Sequence, residues 1–143
     1  MKKVHKLLTL LILPIFSVAQ NYNMELMGHL AYDVELSDVW GYVDEEGNEY
    51  ALVGLNDNFS IADVTDPENP VEVFRTIGGN PSAWRDIKTY GDYAYITCEC
   101  FPGLMIVDMS PLPDTTSLTY TNWVHDSVPV SYTHLRAHET RGN

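Results

Sequence analysis

Phe59-Ser60-Ile61-Ala62-Asp63-Val64-Thr65-Asp66-Pro67 and Leu104-Met105-Ile106-Val107-Asp108-Met109-Ser110-Pro111 are two copies of one pattern. In each, a short apolar run closes on an aspartate and passes into a Thr/Ser and Pro turn. The correspondence extends outward from there. Asp38-Val39-Trp40-Gly41-Tyr42 aligns with Asp86-Ile87-Lys88-Thr89-Tyr90. Gly47-Asn48-Glu49-Tyr50-Ala51-Leu52-Val53 aligns with Gly91-Asp92-Tyr93-Ala94-Tyr95-Ile96-Thr97, with two residues inserted in the first copy. The offsets between matched residues are 48, 43 and 45. A period of roughly 40–50 residues with about four strands per unit is the spacing of propeller blades.

The intervening residues agree. Tyr50–Leu55, Phe59–Val64, Val71–Ile77, Tyr93–Thr97 and Leu104–Met109 are strand-length runs separated by Gly, Pro, Asn and Asp. Such punctuation argues for an all-β chain, and no sustained helical period follows the N-terminus. The expected fold is all-β: β-propeller-like repeats of four-stranded antiparallel blades, about two of them, an incomplete propeller. Period-two alternation puts Ala51, Val53 and Leu55 on one side of their strand, with Ala94, Ile96 and Cys98 as counterparts. These faces are expected to be buried between blades, since one blade alone has little core. Two repeats end near Asp114, and Thr119–Val124 reads as the opening of another unit.

Gly103-Leu104-Met105-Ile106-Val107-Asp108-Met109-Ser110-Pro111, and less closely Phe59 to Pro70, resemble the LVIVD repeat, whose pattern is near G-L-x-I-V-D-V-S-D-P-x-x-P. The wider stretch, about residues 25–128, is similar to the choice-of-anchor B family of exported bacterial proteins. Asp38–Tyr42, Glu49–Leu55, Asp63–Pro70 and Trp84–Lys88 carry that resemblance. It implies a β-propeller, export, attachment by a variable anchor at the C-terminal side, and no established catalytic residues. Cys98-Glu99-Cys100-Phe101-Pro102 departs from the pattern, so nothing is carried over to those positions.

The N-terminus reads separately. Lys2, Lys3, His5 and Lys6 precede a largely apolar run from Leu7 to Phe16, then Ser17-Val18-Ala19. Basic, apolar and small residues in that order predict a signal peptide over residues 1–19, cleaved between Ala19 and Gln20. About ten apolar residues are too few to span a bilayer, and no later stretch is longer and as apolar. No cysteine follows to mark a lipoprotein. Removing residues 1–19 leaves five basic against twenty acidic residues, a formal charge of −15. That excludes nucleic acid as an expected partner, since its affinity comes largely from Lys and Arg on phosphates. It also disfavours anionic lipid.

The strand pattern stops before Val130. Residues 129–143 share neither the charge nor the pattern of the repeats and are expected to be a tail foreign to the native protein. The blades would then occupy residues 20–128, cut short, with the anchor beyond them. Two blades leave apolar faces and strand edges open, so the chain is expected to be unstable alone or to self-associate.

Chemistry-bearing motifs are sparse. There is no G-x-S-x-G elbow, no H-E-x-x-H helix and no phosphate-binding glycine loop. His125-Asp126-Ser127 holds three triad residue types in a row, but neighbours on an extended chain do not reach one another as a triad requires. His134 and His138 are four apart, without further ligands near them. Cys98 and Cys100 are too few for structural zinc. A bridge between them would strain a regular strand; Cys98 reads as a small core residue and Cys100 is left open. Asp44-Glu45-Glu46-Gly47-Asn48-Glu49 is the densest acidic cluster. It reads as a solvated hairpin turn, with calcium as the functional alternative. No other cofactor is suggested. Asp63 and Asp108 recur at strand ends, where a carboxylate accepts N–H groups of the following turn. Asp38 and Asp86 recur in first strands, which line a propeller's channel, so a ring of them would suit a cation.

Candidate binding residues are Trp84, Arg85, Asp86, Asp38 and Trp40. Their aromatics suit either sugar or peptide stacking or a blade interface. Arg85 and Lys88 are scarce cations in an acidic chain, able to pair with a carboxylate or an anionic ligand. The expectation is an exported, non-catalytic module at the cell surface that binds or displays protein or glycan. The rivals are a fragment of a metal-dependent, hydrolase-type propeller enzyme whose catalytic groups lie in further blades, and a purely structural envelope protein.

Overall fold

A computed structural model describes residues 24–100 and 103–124. The expected signal peptide, His125-Asp126-Ser127, His134, His138 and the 129–143 tail lie outside the described residues.

Among the described residues, eight strands form two four-stranded antiparallel sheets in chain order. The first holds β1 (Leu36–Val43), β2 (Glu49–Leu55), β3 (Phe59–Asp63) and β4 (Val71–Arg75). The second holds β5 (Arg85–Tyr90), β6 (Tyr93–Cys98), β7 (Leu104–Asp108) and β8 (Thr119–Trp123). Thr115–Ser117 is a single 3-10 turn before β8. The described residues make a two-sheet, propeller-like repeat, with no closed barrel among them.

Register repeats along with sequence. Asp38 opposes Gly54, Val39 opposes Val53 and Gly41 opposes Ala51; Asp86 opposes Thr97, Ile87 opposes Ile96 and Thr89 opposes Ala94. The β2–β3 and β6–β7 pairs match in the same way, Tyr50 against Asp63 and Tyr93 against Asp108. The strand-end aspartates behave as expected. Asp63 Oδ1 accepts the Thr65 N–H at 2.9 Å, and Asp108 Oδ1 accepts the Ser110 N–H at 3.0 Å.

Two expectations change. Thr119–Trp123 does not open another unit: it pairs antiparallel with β7 and completes the second sheet. Its offset from β4 is 48, because the link after β7 is long and sends Leu112 and Leu118 into the core. The faces that meet also differ. The core joins Tyr50, Leu52, Phe59 and Ile61 of the first sheet to Ile87, Ala94, Ile96, Met105 and Val107 of the second. Equivalent faces therefore do not meet; opposite faces do, as stacking of like units demands. Val53 and Leu55 are buried but lie on the outward face, part of which is covered by residues 28–33. There the Tyr32 hydroxyl lies 3.1 Å from Ser60 Oγ, and Arg75 sits 5.5 Å from the Tyr32 ring centre.

Side-chain bonds lock the two sheets. Asp38 Oδ2 accepts the Ile87 N–H at 2.9 Å, Trp40 Nε1 donates to Thr89 Oγ1 at 3.1 Å, and Tyr42 donates to Asp92 Oδ1 at 3.1 Å. Phe74 and Tyr120 meet edge to face across the same gap, 6.3 Å between ring centres.

The acidic cluster is a hairpin turn built on one carboxylate. Asp44 Oδ1 accepts the N–H groups of Glu46 (2.9 Å) and Asn48 (2.8 Å); Oδ2 accepts Asn48 Nδ2 (2.8 Å) and the Tyr50 hydroxyl (3.1 Å). Gly47 takes a φ of 88° inside the turn, a conformation that side chains disfavour. Burial works against ionisation of Asp44, but the bonds from Asn48, Tyr50 and Glu46 prevail and hold its carboxyl below the ordinary value of 3.8. Burial, with Asp44 next, pushes the Tyr50 phenol up to about 12, so it remains a donor at neutral pH. A carboxyl lowered on folding stabilises fully above its unfolded pKa and loses that contribution as pH falls through the folded one. Asp44→Ala is expected to cost about 1–3 kcal/mol at pH 7. In urea melts repeated down the pH scale, that gap should close only below 3.8. A gap independent of pH would show that the carboxylate's charge is not what the turn uses.

Candidate functional site

The loops at one end of the sheets enclose a cleft of about 450 Å³. Three connections build it: the β2–β3 link (56–58), the β4–β5 link (76–84) and the turn after β6. The β2–β3 link is only three residues between two buried strands, so its side chains are held close to the sheet. The Thr76 N–H donates to the Phe59 carbonyl at 2.9 Å and the Ser82 N–H to the Asn56 carbonyl at 2.7 Å, which fold the β4–β5 link back over the first. Gly79 permits that approach, since any side chain there would collide with the Asp57 carbonyl oxygen. Asn80 Nδ2 then reaches the Cys100 carbonyl at 3.2 Å, closing the far wall.

Arg85 forms the floor. It is only 6% exposed. Its guanidinium donates to the Leu55 carbonyl, to the Asn56 carbonyl at 3.0 Å and to the Asn80 carbonyl at 3.5 Å. Burial pulls its pKa below the ordinary value while the Asp57 carboxylate opposes that shift; a guanidinium remains charged throughout the accessible range. Around it stand Asp57, Asn58, Asn80, Tyr120 and Asn122. Oδ1 of Asp57 and Oδ1 of Asn58 are buried and have no hydrogen-bond partner among the described residues. Orphaned buried acceptors are uncommon in folded proteins. Here both oxygens, closed off from solvent, belong to residues that line one cleft.

The five residues read from sequence do not converge on one surface. Only Arg85 lines this cleft. Trp84 is exposed, and its N–H donates to Ser82 Oγ at 3.1 Å. Asp86 is buried with Lys88 Nζ 3.6 Å away. Asp38 and Trp40 belong to the inter-sheet contact, where Lys88 Nζ lies 3.8 Å from the Trp40 ring centre. Asp38 and Asp86 are thus each engaged with protein groups. Among the described residues no three His, Cys, Asp or Glu side chains cluster as a metal set, and no helix is long and apolar enough to cross a membrane. The module shows no catalytic signature among those residues.

Cys98 and Cys100 are bridged. β6 ends at Cys98, so the bridge lies across the following turn and not within a regular strand. Cys98 is buried, as its place in the repeat predicts. Asn58, Asn80, Tyr120 and Asn122 were not distinguishable from ordinary loop and strand residues. The one local signal is Gly78-Gly79-Asn80-Pro81, which marks the β4–β5 link as a tight, close-packed loop.

A family model described as the LVIVD repeat matches residues 38–77 and 82–119. The first stretch ends just past β4 and the second reaches the start of β8, so each match falls on one sheet. No curated protein and no solved structure matches the chain.

Proposed function

The chain belongs to the LVIVD-repeat family, and on that premise we propose that it is an exported, non-catalytic binding module that takes a neutral, hydroxyl- or amide-bearing ligand, a glycan or a peptide. The observation that carries this is the pair of buried, unpartnered acceptors, Asp57 Oδ1 and Asn58 Oδ1, in a cleft with Tyr120, Asn122 and Asn80. A ligand that donates hydrogen bonds there, with a small shift of the β2–β3 link to uncover the two oxygens, would relieve two groups whose desolvation is otherwise uncompensated. The cleft's cation already donates to backbone carbonyls, which favours a neutral ligand over a strongly anionic one. The acidic balance of the chain points the same way. Export is supported by the basic, apolar, small-residue order of residues 1–19, and surface attachment by the similarity to choice-of-anchor B proteins.

The test is titration of the full chain with neutral oligosaccharides and short uncharged peptides, followed by calorimetry. Binding to one class is expected, weakened at least about tenfold in Asn58→Leu, the loss of one to two hydrogen bonds. No binding by either class, or equal binding by Asn58→Leu, would remove this cleft as the site. Turnover of the oligosaccharide would replace a binding module with an enzyme.

A further inference from the structure

We propose that the Cys98–Cys100 bridge is a thiol–disulfide exchange site, opened through Cys100 by a small thiol that carries no other charge and enters by the cleft. The repeat itself shows that the fold does not call for this bridge. Leu55 ends β2 as Cys98 ends β6, and both are buried, at 0% and 1% exposed. The first sheet thus fills the equivalent position with a hydrocarbon side chain and no sulfur. Nor does the bridge tie distant parts of the chain together. It joins residues two apart, and the stabilisation a bridge gives grows with the loop it closes.

The two cysteines differ in access. Cys98 is closed off from solvent, whereas Cys100 is half-buried and lines the cleft of about 450 Å³. A thiol arriving from solvent therefore meets Cys100. The departing side is prepared as well. The Cys100 N–H donates to Cys98 Sγ at 3.0 Å, and a donor on sulfur stabilises the thiolate that leaves. Arg85 is the cross-strand partner of Cys98, and its guanidinium adds fixed positive charge to the same cleft lining, which also favours thiolate. Asp57 lines the cleft too, and Glu99 is exposed between the cysteines. These carboxylates repel a thiol that bears an acid group of its own. Asn80 Nδ2, bonded to the Cys100 carbonyl at 3.2 Å, holds the turn while its sulfur is attacked.

The exchange balances in two steps. An incoming thiolate forms a bond to Cys100 Sγ as the bridge breaks, and the electron pair of the broken bond leaves on Cys98 Sγ. A second thiolate then attacks the added sulfur, forms the small disulfide and releases Cys100. The two protons given up by the thiols end on Cys98 and Cys100. Two thiols are oxidised by two electrons in all, and the bridge is reduced by two.

The test exposes the oxidised full chain to 2-mercaptoethanol in native buffer, quenches with N-ethylmaleimide and locates the adducts by mass spectrometry, with fragmentation at Glu99 reading the two cysteines apart. The mixed disulfide is expected on Cys100 at least about tenfold over Cys98, because access decides which sulfur is attacked. The bridge should open in native buffer within about tenfold of its rate in urea, and the reduced chain should keep its circular-dichroism spectrum. A bridge that opens only in urea overturns the proposal. So does an adduct shared equally or found on Cys98, which would mean that the cleft does not direct the attack. Loss of strand signal on reduction overturns it too, since the bridge would then be a staple of the fold. Failure of the neutral-ligand reading leaves this proposal standing, because exchange requires only that a thiol reach Cys100.

Discussion

Phe59→Ala is expected to lower stability by about 3–5 kcal/mol, the usual cost of truncating a fully buried aromatic in a packed core. Phe59 is 0% exposed and sits at the start of β3, on the face turned to the second sheet. Its backbone is committed too: its N–H donates to Thr76 Oγ1 at 3.0 Å, and its carbonyl accepts the Thr76 N–H at 2.9 Å. The site has little room to collapse around a void, so the cavity term should be near its full size. Domains of this size have about 5–15 kcal/mol in total, so the variant should approach half-unfolding under mild urea. The informative control is Leu104→Ala. Leu104 occupies the same repeat position, but its face of the second sheet is only partly covered. Its loss should be no more than about 1–2 kcal/mol, in proportion to the smaller buried area. Urea midpoints followed by circular dichroism measure both. Equal losses would mean that the two faces are equally covered, contrary to the stacking described above.

That contrast shows where sequence reading succeeds and where it stops. Strand identity and register were legible, because two copies of one pattern have to fold alike: Asp38, Ala51 and Asp63 find Asp86, Ala94 and Asp108 in matching register. The turn roles of Asp63 and Asp108 were legible because an aspartate bonds to the N–H two residues on, a local event. Which face meets which was not. β2 is buried on both sides from Leu52 to Leu55, so its alternation does not name an inward face. β8 was misassigned for a related reason. Its strand is polar and largely exposed, and an apolar detour through Leu112 and Leu118 separates it from β7. The candidate site was least legible. Arg85 stood out as a scarce cation, but its carbonyl partners come from residues 30 and 29 positions earlier and five earlier. Only the fold brings them together.

Arg85→Met should cost about 2–4 kcal/mol. Methionine keeps much of the side chain's apolar volume but makes none of its bonds. The carbonyls of Leu55, Asn56 and Asn80 would lose a charged donor, and buried acceptors left without one carry a desolvation penalty. Asp57, whose charge favours the guanidinium, would lose its compensating cation as well, and removing one member of a buried charge arrangement is more costly than removing both. Arg85→Lys sharpens the test. Lysine restores the charge but not the planar fork that reaches several carbonyls at once, so it should recover less than half of the loss. The double variant Arg85→Met with Asp57→Asn should be less destabilised than the sum of the two single variants, since it leaves no uncompensated carboxylate behind. These measurements are made without ligand, and that decides the residue's role. A guanidinium held in reserve for an anion would leave unliganded stability unchanged when replaced. A guanidinium that ties the β2–β3 link to the β4–β5 link lowers stability first and alters ligand binding only through the shape of the cleft.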